Sequence, residues 1–445
     1  MDYLEFAKDI VDAAVRAGAH EAEVYLQTGD EFGVSVRMGE IETITQASSK
    51  GMGLRVLVDK RTAFTSTTDF DSRVVAELIR TTVQLAKAAN RDRHNGLPEI
   101  GPQVLPHMNL YDSAIAKMPA EQKIGMAKEC EKAAFDYDSR INNSHGAGFG
   151  THAGTRILAN SNGILYSNSG TDCGVSCSPL AEENGTKQVG SYWSSSRFLS
   201  NLDSPAEVGR RAALDAVRKL GGRKIETTKA PVVFDNTIAT VLWGAVFSAL
   251  DGDNVHRGMS FLKKKLGKQI ASSLVTVIDD PLMPKGLGSM PLDGEGVPTC
   301  RKTVIEKGVL NLYFYDTRTA NKYGEKPTGN ARRGYAGLPS VGPMNFYLQP
   351  SETDPMDIVR RIPNGFYVTE TIGHGISITT GDFSVGASGM WIKDGELAFP
   401  VQEVTIAGNM LDMMKGIEET GSDIRFASSI VSPTFKIGEM TISGR

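Results

Sequence analysis

The spacing of apolar and polar positions changes several times along the chain, and each change marks an element. Phe6, Ala7, Ile10, Val11, Ala14 and Val15 recur at helical spacing. Period-two runs follow at Val24 and Leu26, at Phe32, Val34, Val36 and Met38, and at Leu54, Val56 and Val58, which predict an antiparallel meander. A second helix is predicted from about Ser72 to Ala89, carrying Val75, Leu78, Ile79, Val83 and Ala86 on one side. A third runs from Pro119 to about Phe135, with proline in its first turn.

Strand patterning returns between Ile141 and Ser200. Asn162-Gly163, set between two apolar runs, is a hairpin signal because both residues accept the positive φ values of a tight turn. Ser204-Pro205-Ala206-Glu207 reads as a capping box opening a helix that ends near Leu220, ahead of Gly221-Gly222. The polar segment 221–230 marks a boundary, beyond which many short strands are broken by glycine, notably at Lys307-Gly308, at Asp394-Gly395 and over 373–389.

The expected fold class is therefore α+β. An N-terminal α+β domain with antiparallel strands spans 1–222, and a β-rich domain with a few helices spans 223–445. The second should curl into a barrel or sandwich, since so many short strands would otherwise leave edges exposed. Within it, Ile238, Val241, Leu242, Ala245 and Ala249 predict a core-facing helical stripe, with Trp243, Gly244, Phe247 and Ser248 opposite. A polar, glycine-broken loop from Asp251 to Gly258 follows, then Lys263-Lys264-Lys265, read as a solvated helix face.

Composition narrows the class. The chain has 445 residues, enough for two or three domains with cores of their own, and no apolar run long enough to span a membrane. Lys plus Arg is 48 against 52 Asp plus Glu, a net charge of −4, so neither nucleic acid nor a membrane surface is an expected partner. The acidic start, Met1-Asp2-Tyr3-Leu4-Glu5, lacks the basic and apolar regions of an export signal, and the expected location is cytoplasmic. Four cysteines, Cys130, Cys173, Cys177 and Cys300, make no disulfide framework. Cys173 and Cys177 lack a second Cys or His pair at matching spacing and read as ordinary thiols rather than half a zinc site.

The seven histidines, His20, His94, His107, His145, His152, His256 and His374, contain no helical metal pair, and His145 and His152 read as surface residues. Gly386-Ala387-Ser388-Gly389 is not a nucleophile elbow, and no Walker loop is present. His374 stands between two glycines, suited either to a turn or to close approach by a bound backbone. His256 and Arg257 follow the most apolar helix, and Arg257 either grips a peptide carbonyl or carboxylate or ties the loop to the barrel.

Several blocks, in one order, carry a resemblance. They are Ala181-Glu182-Glu183-Asn184-Gly185, the stretch Asp253 to Gly267 continuing to Ile270, Gly381-Asp382-Phe383-Ser384, Gly386-Ala387-Ser388-Gly389, and Thr405-Ile406-Ala407-Gly408-Asn409. On them the chain resembles the TldD/PmbA family, its PmbA (TldE) branch, also called modulators of DNA gyrase. The resemblance implies a peptidase system of two related subunits, in which the TldD subunit carries a His-Glu-x-x-x-His zinc motif and a further cysteine ligand near its C-terminus.

Set on this chain, the histidine positions of that motif fall on Trp243 and Ser248, the glutamate position on Gly244, and the cysteine position in the neighbourhood of Ser432. Zinc hydrolysis needs imidazole, thiolate or carboxylate ligands and a base for the metal-bound water, and these residues supply neither. The resemblance thus implies a subunit with no catalytic residues and no metal of its own, zinc residing in a TldD-like partner. The substrate expected is an unfolded peptide or small protein. Candidate substrate-binding residues are His256, Arg257, His374, Asp382 and Ser384, with an extended substrate pairing along the glycine-rich strands at 373–389. A symmetric homodimer is expected when the partner is absent. The alternatives are a peptidase active on its own and a regulator of DNA gyrase.

Overall fold

The computed structural model describes residues 2–101, 104–373 and 375–444. The Asp2 carboxylate caps α1 (Tyr3–Arg16) by accepting from the amides of Leu4 and Glu5, and Ala7, Ile10, Val11 and Ala14 turn inward as their spacing predicts. Three strands follow: β1 (Glu21–Arg37), β2 (Glu40–Val58) and β3 (Arg61–Thr67). The runs at Val24 and at Phe32 are one continuous strand, since Gln27–Glu31 keeps its ladder pairing to a neighbour on each side although no core covers it. The β1–β2 hairpin turns on Met38 and Gly39, both at positive φ, the geometry a two-residue turn requires.

The helices α2 (Ser72–Ala88), α3 (Ser113–Ala116) and α4 (Ala120–Phe135) lead to β4 (Ile141–Asn160), β5 (Leu165–Glu183), β6 (Thr186–Val189), β7 (Tyr192–Ser196) and α5 (Pro205–Arg218). The Asn162-Gly163 turn joins β4 to β5 as expected, Asn160 Oδ1 accepting from the amides of Asn162 and Ile164. Ser204 caps α5, but Glu207 does not complete a capping box: Arg210 and Arg211 hold its carboxylate instead. The strands form one sheet in the order β3-β2-β1-β4-β5-β6, with β7 also on β5.

Strand alternation splits that sheet into two faces. Val24, Leu26, Leu54 and Val56 pack under α1 and α2, and Phe32, Val34, Phe149 and Val175 pack under α4 and α5. The alternate residues of β1, β4 and β5 look the other way, toward the C-terminal domain. Cys173 and Cys177 lie in the core under α4 and α5, and burial pushes the Cys173 thiol up to about 12.

In the C-terminal region β8 (Thr228–Phe234) pairs with strands 364–372 and 435–443, and strands 382–393 and 396–409 complete a ring that closes by pairing 396–409 with 435–443. The result is a closed five-stranded barrel rather than a sandwich, with strand 417–420 attached outside the ring. A second sheet combines the short strands at 277–279, 302–306, 309–310, 346–348 and 430–431. Helix α6 (Asn236–Ala249) shares one core with both. The segment Asp251–Gly258 is not a plain loop but holds the short helix α7 (Gly252–His256), and Lys263-Lys264-Lys265 lies in turns rather than on a helix. Among the described residues no helix is long and apolar enough to cross a membrane.

The two regions meet through charge. Arg55 on β2 lies 3.1 Å from Glu23 on β1 and 3.3 Å from Glu295 of the C-terminal region, and Arg333 completes the group on Glu23. All four are nearly shut off from solvent, so each charge depends on its partners.

Candidate functional site

Helix α6 opens on Asp235, whose carboxylate accepts from the amide of Thr237 at 3.0 Å. Its buried side differs from the predicted stripe: Val241 is 43% exposed, whereas Trp243, Val246 and Phe247 join Leu242, Ala245 and Ala249 in the core. The helix is wedged between the barrel and the second sheet, so apolar contacts surround most of it and no single stripe describes it.

That burial governs the three motif positions. Trp243 is 1% exposed and meets Phe435 edge-on, ring centroids 6.3 Å apart at 71°. Around it stand Leu242, Val246, Met410, Met413 and Met414, an apolar shell that leaves a gap of only about 10 Å³. Its indole Nε1 has no hydrogen-bond partner. Gly244 instead faces open space, and Ser248 is exposed with its hydroxyl donating to the Gly244 carbonyl at 3.0 Å. At about 100° per residue, Trp243 and Ser248 point about 140° apart around the helix.

Strand 430–431 packs against α6 and brings Ser432 to its side; that residue is 1% exposed, its hydroxyl donating to the Pro433 carbonyl at 2.7 Å. An indole N–H has no lone pair to give, glycine has no side chain, and two neutral hydroxyls already committed to carbonyls are poor ligands. These residues do not fit a zinc ion. No group of three or more His, Cys, Asp or Glu arranged to hold a metal occurs among the described residues.

The candidate substrate-binding residues fall into two neighbouring segments. His256 stacks on Tyr323, centroids 3.8 Å apart, and its Nε2 lies 3.1 Å from the Tyr315 hydroxyl. Arg257 is exposed and reaches Asp253 of its own helix at 3.4 Å, so it does not tie the loop to the barrel. Burial would raise the Asp253 carboxyl, but hydrogen bonds from Tyr323 and Lys322 outweigh it and hold that group below its ordinary value. Phe261 links this segment to the next, donating its amide to the Ile378 carbonyl at 2.9 Å and lying against Gly381. Asp382 and Ser384 point outward at the start of their strand, alternating with buried Phe383 and Val385, and Asp382 accepts from the Thr380 hydroxyl at 2.6 Å. His374 lies outside the described residues.

The proposed pairing of substrate along 373–389 is corrected by ring closure. Strand 382–393 is bonded on one side to 396–409 and on the other to 364–372 and to the Gly375–Ser377 segment, so it offers no free edge. The open edge is elsewhere. β3 covers β2 only over Met52–Val58, leaving Glu40–Gly51 bonded on one side alone, and 40–50 are exposed throughout. Met38, Ile41 and Ile44 stand exposed there. The β-branched run Ile41-Glu42-Thr43-Ile44-Thr45 is the signal that could have identified this strand from sequence.

His152 also differs from its reading as a surface residue. It sits in a cleft between the sheet and the C-terminal domain, with Nδ1 3.2 Å from the Asp172 carboxylate, and that hydrogen bond raises its pKa against the opposing effect of burial.

A closed barrel, a helix-backed antiparallel sheet and a buried α6 make up the architecture of a metallopeptidase-related chain. Family models agree over nearly the whole length: PmbA/TldA metallopeptidase domain 1 matches residues 22–89, the central domain 114–220 and the C-terminal domain 227–444. The chain belongs to the PmbA/TldD family. It is 33% identical to the metalloprotease PmbA of Escherichia coli O157:H7, over 95% of this chain and 92% of that one. The crystal structure of a Bacteroides thetaiotaomicron protein, described as a candidate modulator of DNA gyrase, superposes with a TM-score of 0.93 at 27% identity, covering 100% of both chains. TldE from Thermococcus kodakarensis shares the fold with a TM-score of 0.91 at 22% identity, over 98% of this chain and 99% of that one.

Proposed function

We propose that this chain is the PmbA/TldE-type subunit of a cytoplasmic TldD/TldE-type zinc peptidase system, holding no catalytic metal itself and assisting a TldD-like subunit that does. The observation that carries this reading is Trp243, an indole committed to the core where the resemblance places a metal-binding imidazole. A ligand position that has become a core residue is not an emptied site waiting for a metal. Recovering a ligand there would require a polar group at the heart of an apolar cluster.

The same reading gives the rest of the chain its work. The open, apolar-decorated edge of β2 at 40–51 is suited to docking a partner by strand addition, whether a TldD-like subunit or a second copy of this chain. The exposed Arg257 and Asp382 belong to two segments joined through Phe261, where a passing unfolded peptide would find a cation and an anion.

Purification from native extract, followed by peptide cleavage with each subunit alone and with the pair, tests the proposal. A zinc-bearing partner at one-to-one stoichiometry and cleavage only by the pair or the partner are expected. Chelator-sensitive cleavage by the lone chain would assign it its own active site.

A further inference from the structure

The cleft between the sheet and the C-terminal domain has a floor of unusual regularity. Three cross-strand rows of β1, β4 and β5 face it: Gln27–Arg156–Asn168, Gly29–Gly154–Gly170 and Glu31–His152–Asp172. The middle row is three glycines side by side, and side chains close over it: the His152 ring over Gly29 and Gly154, and Arg197 over Gly170. The glycines are needed there. A Cβ on Gly29 or Gly154 would fall 2.9 Å from the His152 ring, and one on Gly170 would fall 2.7 Å from an Arg197 nitrogen. The cleft is open to solvent and holds about 320 Å³.

One end of the cleft gathers guanidinium groups. Arg156 and Arg197 line it, and Arg332 joins Arg156 in the adjoining recess. None of the three has a carboxylate within ion-pair distance among the described residues. Arg197 is fixed by backbone carbonyls, those of Gly286 at 3.0 Å and Leu287 at 2.6 Å, and Arg332 by the Pro343 carbonyl at 2.8 Å. The Arg156 side chain makes no hydrogen bond among the described residues and is exposed, a free fork beside two anchored ones. Burial first, and then the Arg156 charge, bring Arg197 down to about 10 against the opposing pull of the Asp172 carboxylate, with Arg332 adding a smaller lowering effect. The other end carries Glu31 and Asp172 around His152.

We propose that Arg156, Arg197 and Arg332 form a binding site for a carboxylate of a short peptide held in this cleft. Arg156, common to the cleft and the recess, brings a free fork beside Arg197 on one side and Arg332 on the other, and a carboxylate accepts from two forks at once. The acidic far end argues for a singly charged anionic head on an otherwise neutral or cationic ligand, because a polyanion would run into Glu31 and Asp172. The peptide nature of the ligand rests on the function proposed above; the carboxylate site rests on the cleft alone.

Calorimetric titration of the full chain with three pentapeptides tests this: one with a free C-terminus, the same peptide amidated, and an amidated version ending in Glu. Amidation is expected to weaken binding about tenfold, the scale of one lost charge-assisted hydrogen bond. Arg156→Gln should cost the free-carboxylate peptide the same factor and leave the amidated one unchanged. This variant removes an exposed, partnerless side chain, and an unchanged thermal melt verifies its fold. If the Glu-ending peptide recovers affinity, a side-chain carboxylate suffices; if it does not, the α-carboxylate is the ligand, and either result supports the site. Equal binding of free and amidated peptides, or equal loss for both in Arg156→Gln, overturns it. A reconstituted pair whose cleavage has a KM indifferent to amidation and to Arg156→Gln would keep the proposed function and remove this site. Carboxylate-dependent binding without partner-dependent cleavage would do the reverse.

Discussion

Trp243 and Phe435 pack edge to face, the first from α6 and the second from the barrel strand 435–443, and this pair joins the helix to the barrel wall. The indole therefore acts as a structural peg where the resemblance expects a metal ligand. Trp243→Ala is expected to cost about 3–5 kcal/mol, the range for deleting a buried aromatic ring. Ser248→Ala, at the other motif position, should stay within about 0.5 kcal/mol, because the residue is exposed and its hydroxyl bonds only to its own helix. Urea unfolding of both variants reads the contrast, and similar losses in the two would contradict the placement.

The join between the two regions makes a second prediction. Arg55→Ala would leave Glu295 without its cation in a dry interface while Glu23 keeps Arg333, and breaking a buried ion pair in this way costs about 3–5 kcal/mol. Burial, the largest effect on it, already raises the Glu295 carboxyl although Arg55 lowers it, so losing Arg55 should raise it further. Denaturant midpoints should fall most near neutral pH and recover in acid, where the stranded Glu295 carboxyl is protonated. A loss independent of pH would point to lost packing instead.

Asp293 should impose a pH dependence of its own. Burial, followed by the Glu295 charge, pushes its carboxyl from 3.8 up to about 7 despite hydrogen bonds from the Ala331, Glu295 and Val297 amides. Between those two values the folded chain holds a proton that the unfolded chain releases, so this group's contribution is full below 3.8 and is lost as pH rises toward about 7. His152 acts in the same sense, because Asp172 raises its pKa in the folded state: its contribution is full below 6.5 and is lost as pH rises through the folded value. In an NMR titration Asp172→Asn should bring the His152 midpoint down; an unmoved midpoint would show that the pair does not form in solution.

Helix packing in the N-terminal domain depends on one missing side chain. A Cβ on Gly209 of α5 would lie 2.1 Å from the Cys130 carbonyl of α4, backbone that cannot swing away. Gly209→Ala is expected to cost about 1–3 kcal/mol by overpacking, visible as a lower melting temperature. An unchanged melt would mean the helices stand farther apart than described.

Much of this was legible in the sequence, for reasons that also explain the rest. Helices α1 and α2 followed from apolar spacing because each lies on the sheet with one face wet, α4 followed from the proline at its start, and the β4–β5 hairpin followed from Asn162-Gly163. Periodicity failed where solvent does not set it. Helix α6 is enclosed on most sides, so its stripe shifted, and the outer half of β2 is exposed on both faces, so no alternation marked it. The glycine row was invisible as well, because Gly29, Gly154 and Gly170 meet only through strand register. The positions at Trp243, Gly244 and Ser248 were placed by resemblance; that one points inward and two outward needed coordinates.

Zinc content of the chain purified without any partner and without added metal, measured by mass spectrometry alongside a peptide-cleavage assay, tests the central claim most directly. The account predicts only trace metal and no cleavage until a TldD-like subunit is added. Stoichiometric zinc that Trp243→Ala or Ser248→Ala releases, together with cleavage by the chain alone, would contradict it.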